Sequence, residues 1–164
     1  MSAVESRDQE VIWYARRGEV KSIDAFLSIA EALSDVKFTV IGEVSSPSVR
    51  LPDNVSYLGW LAEPERAIAR HRVLLNTSPV EGMPNTALQA LAAGLRVVAF
   101  DNAGIRELAT NYPGYVHFVR GGDVSGMSAL LKTVLGLPVG DAQDVPTVED
   151  VVEAWQSLLG GRGD

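Results

Sequence analysis

The sequence predicts an α/β fold, a parallel sheet of about six strands with helices on both faces. Three observations carry that expectation. Short apolar runs alternate with stretches of helical periodicity along the whole chain. Two of those runs stop on glycine, at Gly42 and Gly59. The length of 164 residues, with 46% hydrophobic and 21% charged side chains, suits one globular domain that can bury its own core.

Taken in order, Val11 to Ala15 reads as a buried strand. Residues 22–33 then set Ile23, Phe26, Leu27, Ala30 and Leu33 on one helical face. Phe38 to Ile41 is a second strand ending at Gly42, and Val55 to Leu58 a third ending at Gly59. Pro64 to Arg70 is a charged helix with proline in its first turn. Val73 to Asn76 is a fourth strand, and Thr86 to Ala93 a small-residue helix stopped by Gly94. Arg96 to Phe100 is a fifth strand, followed by a short helix over Ile105 to Thr110. Val116 to Val119 is a sixth strand and Val124 to Leu135 a further helix. Gly136 to Pro146 reads as a loop. Thr147 to Leu159 is a last helix, with Thr147 as N-cap and Asp150 standing where a capping box usually has Glu or Gln. Residues 1–9 and 160–164 read as flexible ends around a single domain at 10–159.

Composition narrows the function classes. With no cysteine, the chain has no disulfide framework, thiolate metal site or Cys nucleophile, which fits a cytoplasmic protein. A net charge of -7 makes nucleic acid a poor partner, so any anionic ligand needs a local basic cluster. No apolar run approaches the roughly 20 residues that span a bilayer, and the polar start MSAVESRDQE is no signal peptide.

Ligands of parallel sheets sit at the carboxyl ends of the strands, so the loops there carry the candidates. After the first strand come Arg16, Arg17 and Lys21, three cations ahead of a helix N-terminus. Charge alone leaves this segment open to two readings, a solvated basic loop or an anion site. After the fourth strand runs NTSPVEGMPNTALQALAAG. The helix there aims its first N–H groups back at the loop, and because Pro84 has none, Asn85 and Thr86 are the backbone donors. Glu81 and Gly82 lie in the loop, and Gln89 lies one turn beyond Asn85. Such a loop can hold a nucleotide sugar: the helix end takes the diphosphate, an acceptor takes sugar hydroxyls, and a polar side chain one turn in takes the ribose. It can equally be an ordinary turn followed by a solvated helix.

The segment VLLNTSPVEGMPNTALQALAAGLRVVAFDNAGIREL resembles the carboxyl-terminal domain of family 4, or group 1, glycosyltransferases. The resemblance rests on Ser78, Glu81, Gly82, Pro84, the helix to Ala93, Gly94, Val97, Val98, Gly104 and Glu107, with Arg16 and Lys21 at the family's amino-terminal spacing. It covers about residues 10–159, with further landmarks near Gly42 and at Tyr57 to Gly59. It implies one Rossmann-like domain of the two-domain GT-B fold, in a retaining transferase that binds a nucleotide-diphosphate sugar. By the resemblance, Arg16, Lys21 and Glu81 are the catalytic residues, the first two on the diphosphate and the third on the transferred sugar. Gly82, Asn85, Thr86 and Gln89 join them in donor binding, Gln89 at the ribose, while Gly59 and Trp60 border the base. No metal and no cofactor are expected.

Three departures stand out. Gln89 occupies a position where the family usually has Glu. Ala15 and Ser22 replace glycines on either side of the basic segment. The family's amino-terminal acceptor domain has no counterpart, so an acceptor domain or a partner subunit is expected to complete the enzyme. If the acceptor is lipid-linked, the place of action becomes the membrane periphery. A non-catalytic nucleotide-sugar-binding module, or a subunit of a split transferase, is the alternative. A dinucleotide oxidoreductase fits poorly, since ARRGEVKS lacks the required glycines. His71, His117 and Glu107 are read as structural, and Trp13, Tyr14 and Trp60 as core aromatics.

Overall fold

The computed structural model describes residues 7–15, 22–43, 50–80, 84–147, 150 and 153. Six strands form one sheet, β1 (Gln9–Ala15), β2 (Phe38–Gly42), β3 (Val55–Gly59), β4 (His71–Asn76), β5 (Arg96–Phe100) and β6 (Val116–Val119). Every pairing is parallel, and the spatial order is β3-β2-β1-β4-β5-β6. Parallel strands need a crossover between them, and helices α1 (Ile23–Ala32), α2 (Pro64–Ala69), α3 (Asn85–Ala92), α4 (Ala103–Asn111) and α5 (Val124–Leu135) accompany them.

The period-two alternation of the strands divides the core into two layers. Val11 and Trp13 of β1 face the layer that holds α1 and α5, with Phe26, Ile29, Met127 and Leu131. Ile12 and Tyr14 face the other, with Ile68, Ala90, Leu91, Ile105 and Leu108 of α2, α3 and α4. Trp13 stacks on Phe26 at 4.8 Å, and Phe26 meets Phe38 edge-on at 5.8 Å. Ile29, left out of the expected helical face of α1, is fully buried there.

The sheet is thus as expected, but three aspects of the sequence reading change. The fold begins before residue 10. Gln9 opens β1, and Arg7 donates to the carbonyls of Gly94 and Gly140, both at 2.7 Å, and to that of Ala93. Residues 137–144, expected as a plain loop, form a strap along the amino edge of the sheet. Arg72 donates to Leu137 O, Arg96 to Pro138 O, Asp141 N to the Tyr115 hydroxyl and Gln143 N to Leu91 O. Trp60 is no core residue but 64% exposed. Beyond the strap, Thr147 and Asp150 bond each other's amides through their side chains, so Asp serves as the capping-box partner. The rest of the helix expected over 147–159 lies outside the described residues, as do residues 160–164.

His71, the first residue of β4, is 3% exposed, and its Nδ1 bonds Ala67 O at 2.7 Å. Nε2 is buried without a partner, which suits a neutral ring. Burial holds its pKa below the ordinary value; nearby Arg70 adds to this, while the Ala67 bond and Asp8 oppose it. A folded-state pKa below the unfolded value of about 6.5 means that the unfolded chain takes up the proton first. Stability from this group is therefore complete above pH ~6.5 and declines as pH falls towards the folded-state pKa. Urea midpoints measured between pH 7 and 5 should fall, and His71→Leu should flatten part of that fall. His117, also lowered by burial, contributes with the same sign in the variant.

Candidate functional site

The order 3-2-1-4-5-6 reverses direction between β1 and β4, and the crevice beyond their carboxyl ends is the topological switch point where such sheets take ligands. The two loops singled out by the sequence leave these two strands. Their flanks are tied together by hydrogen bonds. Trp13 Nε1 donates to Thr77 Oγ1 at 3.0 Å, and that hydroxyl donates to Ser22 O at 3.0 Å. Ser22 N in turn reaches Thr77 O at 3.5 Å, and Ser22 Oγ caps α1 by accepting from Ala25 N. The residue that follows Lys21 is thus held against the residue four before Glu81.

A second set of bonds fixes the same loop from the other side. Asn76 Oδ1 accepts from Ser78 N at 2.9 Å. Asn102 Nδ2 donates to Ser78 O at 3.3 Å, while its Oδ1 caps α4 at Ile105 N. Thr77 and Ser78 are 0% and 2% exposed, so this polar cluster is shut away from water and fully committed to positioning. The sequence reading did not pick out Ser22, Thr77 or Asn102 for this role. Asn102 had a signal, an N-cap residue between a strand and a helix; Thr77 had none beyond polarity at a strand exit.

Helix α3 opens into this crevice. Side chains cap α1, α4 and α5 through Ser22, Asn102 and Asp123, whereas the N-cap of α3 is Pro84, with no side-chain cap bond. The N–H of Ala87 bonds Pro84 O at 2.9 Å, and those of Asn85 and Thr86 lie at the positive end of the helix dipole. Asn85 is exposed at that end and Thr86 is buried. Gln89, one turn on, is partly buried with its Oε1 shut away and unpartnered, not a plain solvated residue. Arg16, Lys21, Glu81 and Gly82 lie outside the described residues. Glu107, read as structural, is exposed on α4. Asp101, beside the α4 N-terminus, is held below the usual carboxylate range by a paired bond to Arg106, at 2.6 and 2.8 Å.

Beside the switch point, at the exits of β2 and β3, Gly42, Glu43, Tyr57 and Trp60 line an open cleft of about 540 Å³. The Tyr57 hydroxyl donates to Gly42 O at 3.0 Å, which fixes its ring as one wall. Gly59 turns the chain at φ +72°, and Trp60 follows it into the cleft. An aromatic wall that is half in water suits a planar base. Glu43 adds a carboxylate there that the sequence reading passed over. Among the described residues no group of three or more His, Asp or Glu side chains could hold a metal ion, and no helix is long and apolar enough to cross a membrane.

The family profile described as "Glycosyl transferases group 1" matches residues 9–136, well over half of the chain. The chain belongs to the group 1 glycosyltransferases. Solved structures bear out the fold. The lipopolysaccharide outer core galactosyltransferase WaaB in its apo form is similar with a TM-score of 0.69 and 19% identity, over 93% of this chain and 49% of that one. TarM of S. aureus, in complex with fondaparinux, alpha-GlcNAc-glycerol and UDP, gives 0.73 and 17%, over 93% and 36%. HepE of Anabaena, in complex with UDP-glucose, gives 0.65 and 18%, over 77% and 39%. The chain spans a third to a half of the length of these structures. No curated protein is a significant match.

Proposed function

We propose that this chain is the donor-binding half of a retaining glycosyltransferase, holding a nucleotide-diphosphate sugar for transfer to an acceptor hydroxyl supplied by another domain or subunit. The observation that carries the reading is the hydrogen-bonded junction of the two loops, Ser22 against Thr77, at the switch point in front of α3. That junction holds Ser22, which follows Lys21 in sequence, against Thr77, four residues before Glu81, and the reading takes both loops to meet at one crevice.

In this reading the N–H groups of Asn85 and Thr86 face the diphosphate, where an anion gains from the helix end. Arg16 and Lys21 add charge-assisted bonds to the same oxygens. Glu81 accepts from hydroxyls of the sugar, beside Gly82, and Gln89 reads the ribose. Gly59 and Trp60 border the base in the cleft with Tyr57. As the bond from the sugar carbon to the diphosphate oxygen breaks, its electron pair goes to the diphosphate. Fixed cations at that point stabilise the developing charge more than the ground state, which is how they accelerate the step. The acceptor oxygen bonds the sugar carbon on the face that keeps its configuration, and its proton passes to the departing diphosphate oxygen. The reading needs no metal and no cofactor. Its setting is the cytoplasm, or the membrane periphery where the acceptor is lipid-linked.

The solved GtfA/B complex, of which this chain matches 36% of one component at a TM-score of 0.63, favours a second reading, a subunit of a split transferase. Titration calorimetry with UDP-, GDP- and ADP-glucose separates these ideas from their failure. One of them should bind, one molecule per chain, without sugar transfer by the isolated chain. No binding by any of them would overturn both readings. Transfer by the chain alone would show that no second domain or subunit is needed.

A further inference from the structure

The cleft at the exits of β2 and β3 is lined mainly by acceptors. Gly42 presents its carbonyl and Glu43 its carboxylate. The Tyr57 hydroxyl gives its proton to Gly42 O, so towards the cleft it too can only accept. The indole N–H of Trp60 is the one side-chain donor among the described lining residues. Glu43 is exposed, and it follows the residue that pairs with Ala15, where the basic loop leaves β1. In the order β3-β2-β1-β4 the cleft lies two strand spacings, about 10 Å, from the crevice between β1 and β4. That separation suits the two ends of one nucleotide.

The nucleobases differ in what they offer an acceptor. A carboxylate has two oxygens side by side, and it binds most strongly a pair of parallel N–H donors. Guanine carries such a pair on its Watson–Crick edge, the ring N1–H and the N2 amino group. Uracil has one ring N–H between two carbonyls, which a carboxylate repels. Adenine and cytosine each have one amino group beside a ring nitrogen that is itself an acceptor. The rings of Tyr57 and Trp60, 47% and 64% exposed, offer faces for a base to stack on but do not tell bases apart. Discrimination falls to Glu43.

We propose that Glu43 selects guanine, so that the donor is a guanosine-diphosphate sugar. The carboxylate accepts from N1–H and from the N2 amino group, with the ring held against Trp60 and Tyr57. The inference rests on the reading of this face as a nucleotide-sugar site, and adds the base that the site takes. Water reaches the open cleft, so one charge-assisted bond there is set at about tenfold in affinity, the low end of its range.

The test is titration calorimetry on the full chain with GDP, IDP, UDP and ADP. Inosine differs from guanosine only by the missing 2-amino group, so GDP against IDP reads one bond and needs no variant. GDP should bind about tenfold more tightly than IDP, and at least as far ahead of UDP and ADP. Glu43→Gln, a change at an exposed position just past β2, sets an amide N–H group opposite one of the two guanine donors. It should weaken GDP about tenfold and bring GDP within about threefold of IDP. IDP, UDP or ADP within about threefold of GDP on the wild type, or a GDP preference that Glu43→Gln leaves unchanged, overturns the inference and leaves the nucleotide site standing. If none of the four binds, the nucleotide site itself is overturned, and the inference with it.

Discussion

Replacing Arg16 with alanine should weaken binding of the nucleotide-diphosphate donor about tenfold to a hundredfold. A charge-assisted hydrogen bond contributes about 1.5–3 kcal/mol, and each ~1.4 kcal/mol is a factor of ten in affinity. The chain carries a net charge of -7, so its general field repels an anion, and the local cations must supply the attraction. Lys21→Ala should act in the same direction. Its neighbour in sequence, Ser22, accepts a hydrogen bond from the Thr77 hydroxyl. Calorimetry with the best-binding nucleoside diphosphate reads the effect. An Arg16→Ala affinity within twofold of the wild type would remove Arg16 from the proposed site.

The largest effect on stability is expected at Gly94. It stands at φ +81°, just after α3, where a side chain is strained whatever the space around it. There is also no space: an added Cβ would lie 2.5 Å from the Arg7 guanidinium, 2.9 Å from Ala142 N and 2.9 Å from the carbonyl carbon of Asp141. Left-handed strain of about 1–2 kcal/mol and overpacking of about 1–3 kcal/mol together make Gly94→Ala destabilising by about 3 kcal/mol. Thermal unfolding should shift down by roughly 6–12 °C for a domain of this length. A shift under 2 °C would mean that the strap can move aside freely. The damage should fall on the amino edge of the sheet, opposite the proposed donor site, so donor affinity below the melting range should change little.

The sheet was legible because strands buried on both faces leave continuous apolar runs, as in Val97 to Phe100. The capping box at Thr147 was legible for the same local reason, since its two partners are three residues apart. What escaped the sequence depends on contacts far apart in the chain. Arg7 bonds Gly140 across 133 positions, and Thr77 bonds Trp13 across 64. Neither leaves a local pattern. Trp60 was misjudged as core because aromatic residues are usually buried; here the glycine turn at residue 59 carries it past the edge strand into an open cleft. Gln89 is a case of partial legibility. Its place on the helix could be read, but the isolation of its oxygen arises from three-dimensional packing.

A nucleoside diphosphate should sit in the crevice between β1 and β4. Amide chemical-shift mapping of the labelled chain, titrated in turn with UDP, GDP and ADP, locates it directly. The largest changes should fall on Ser22, Thr77, Ser78, Asn85 and Thr86, around the crevice between β1 and β4, with Gly94, Tyr115 and Gly140 at the amino edge unmoved. Changes concentrated at that amino edge, or none with any of the three nucleotides, would contradict it.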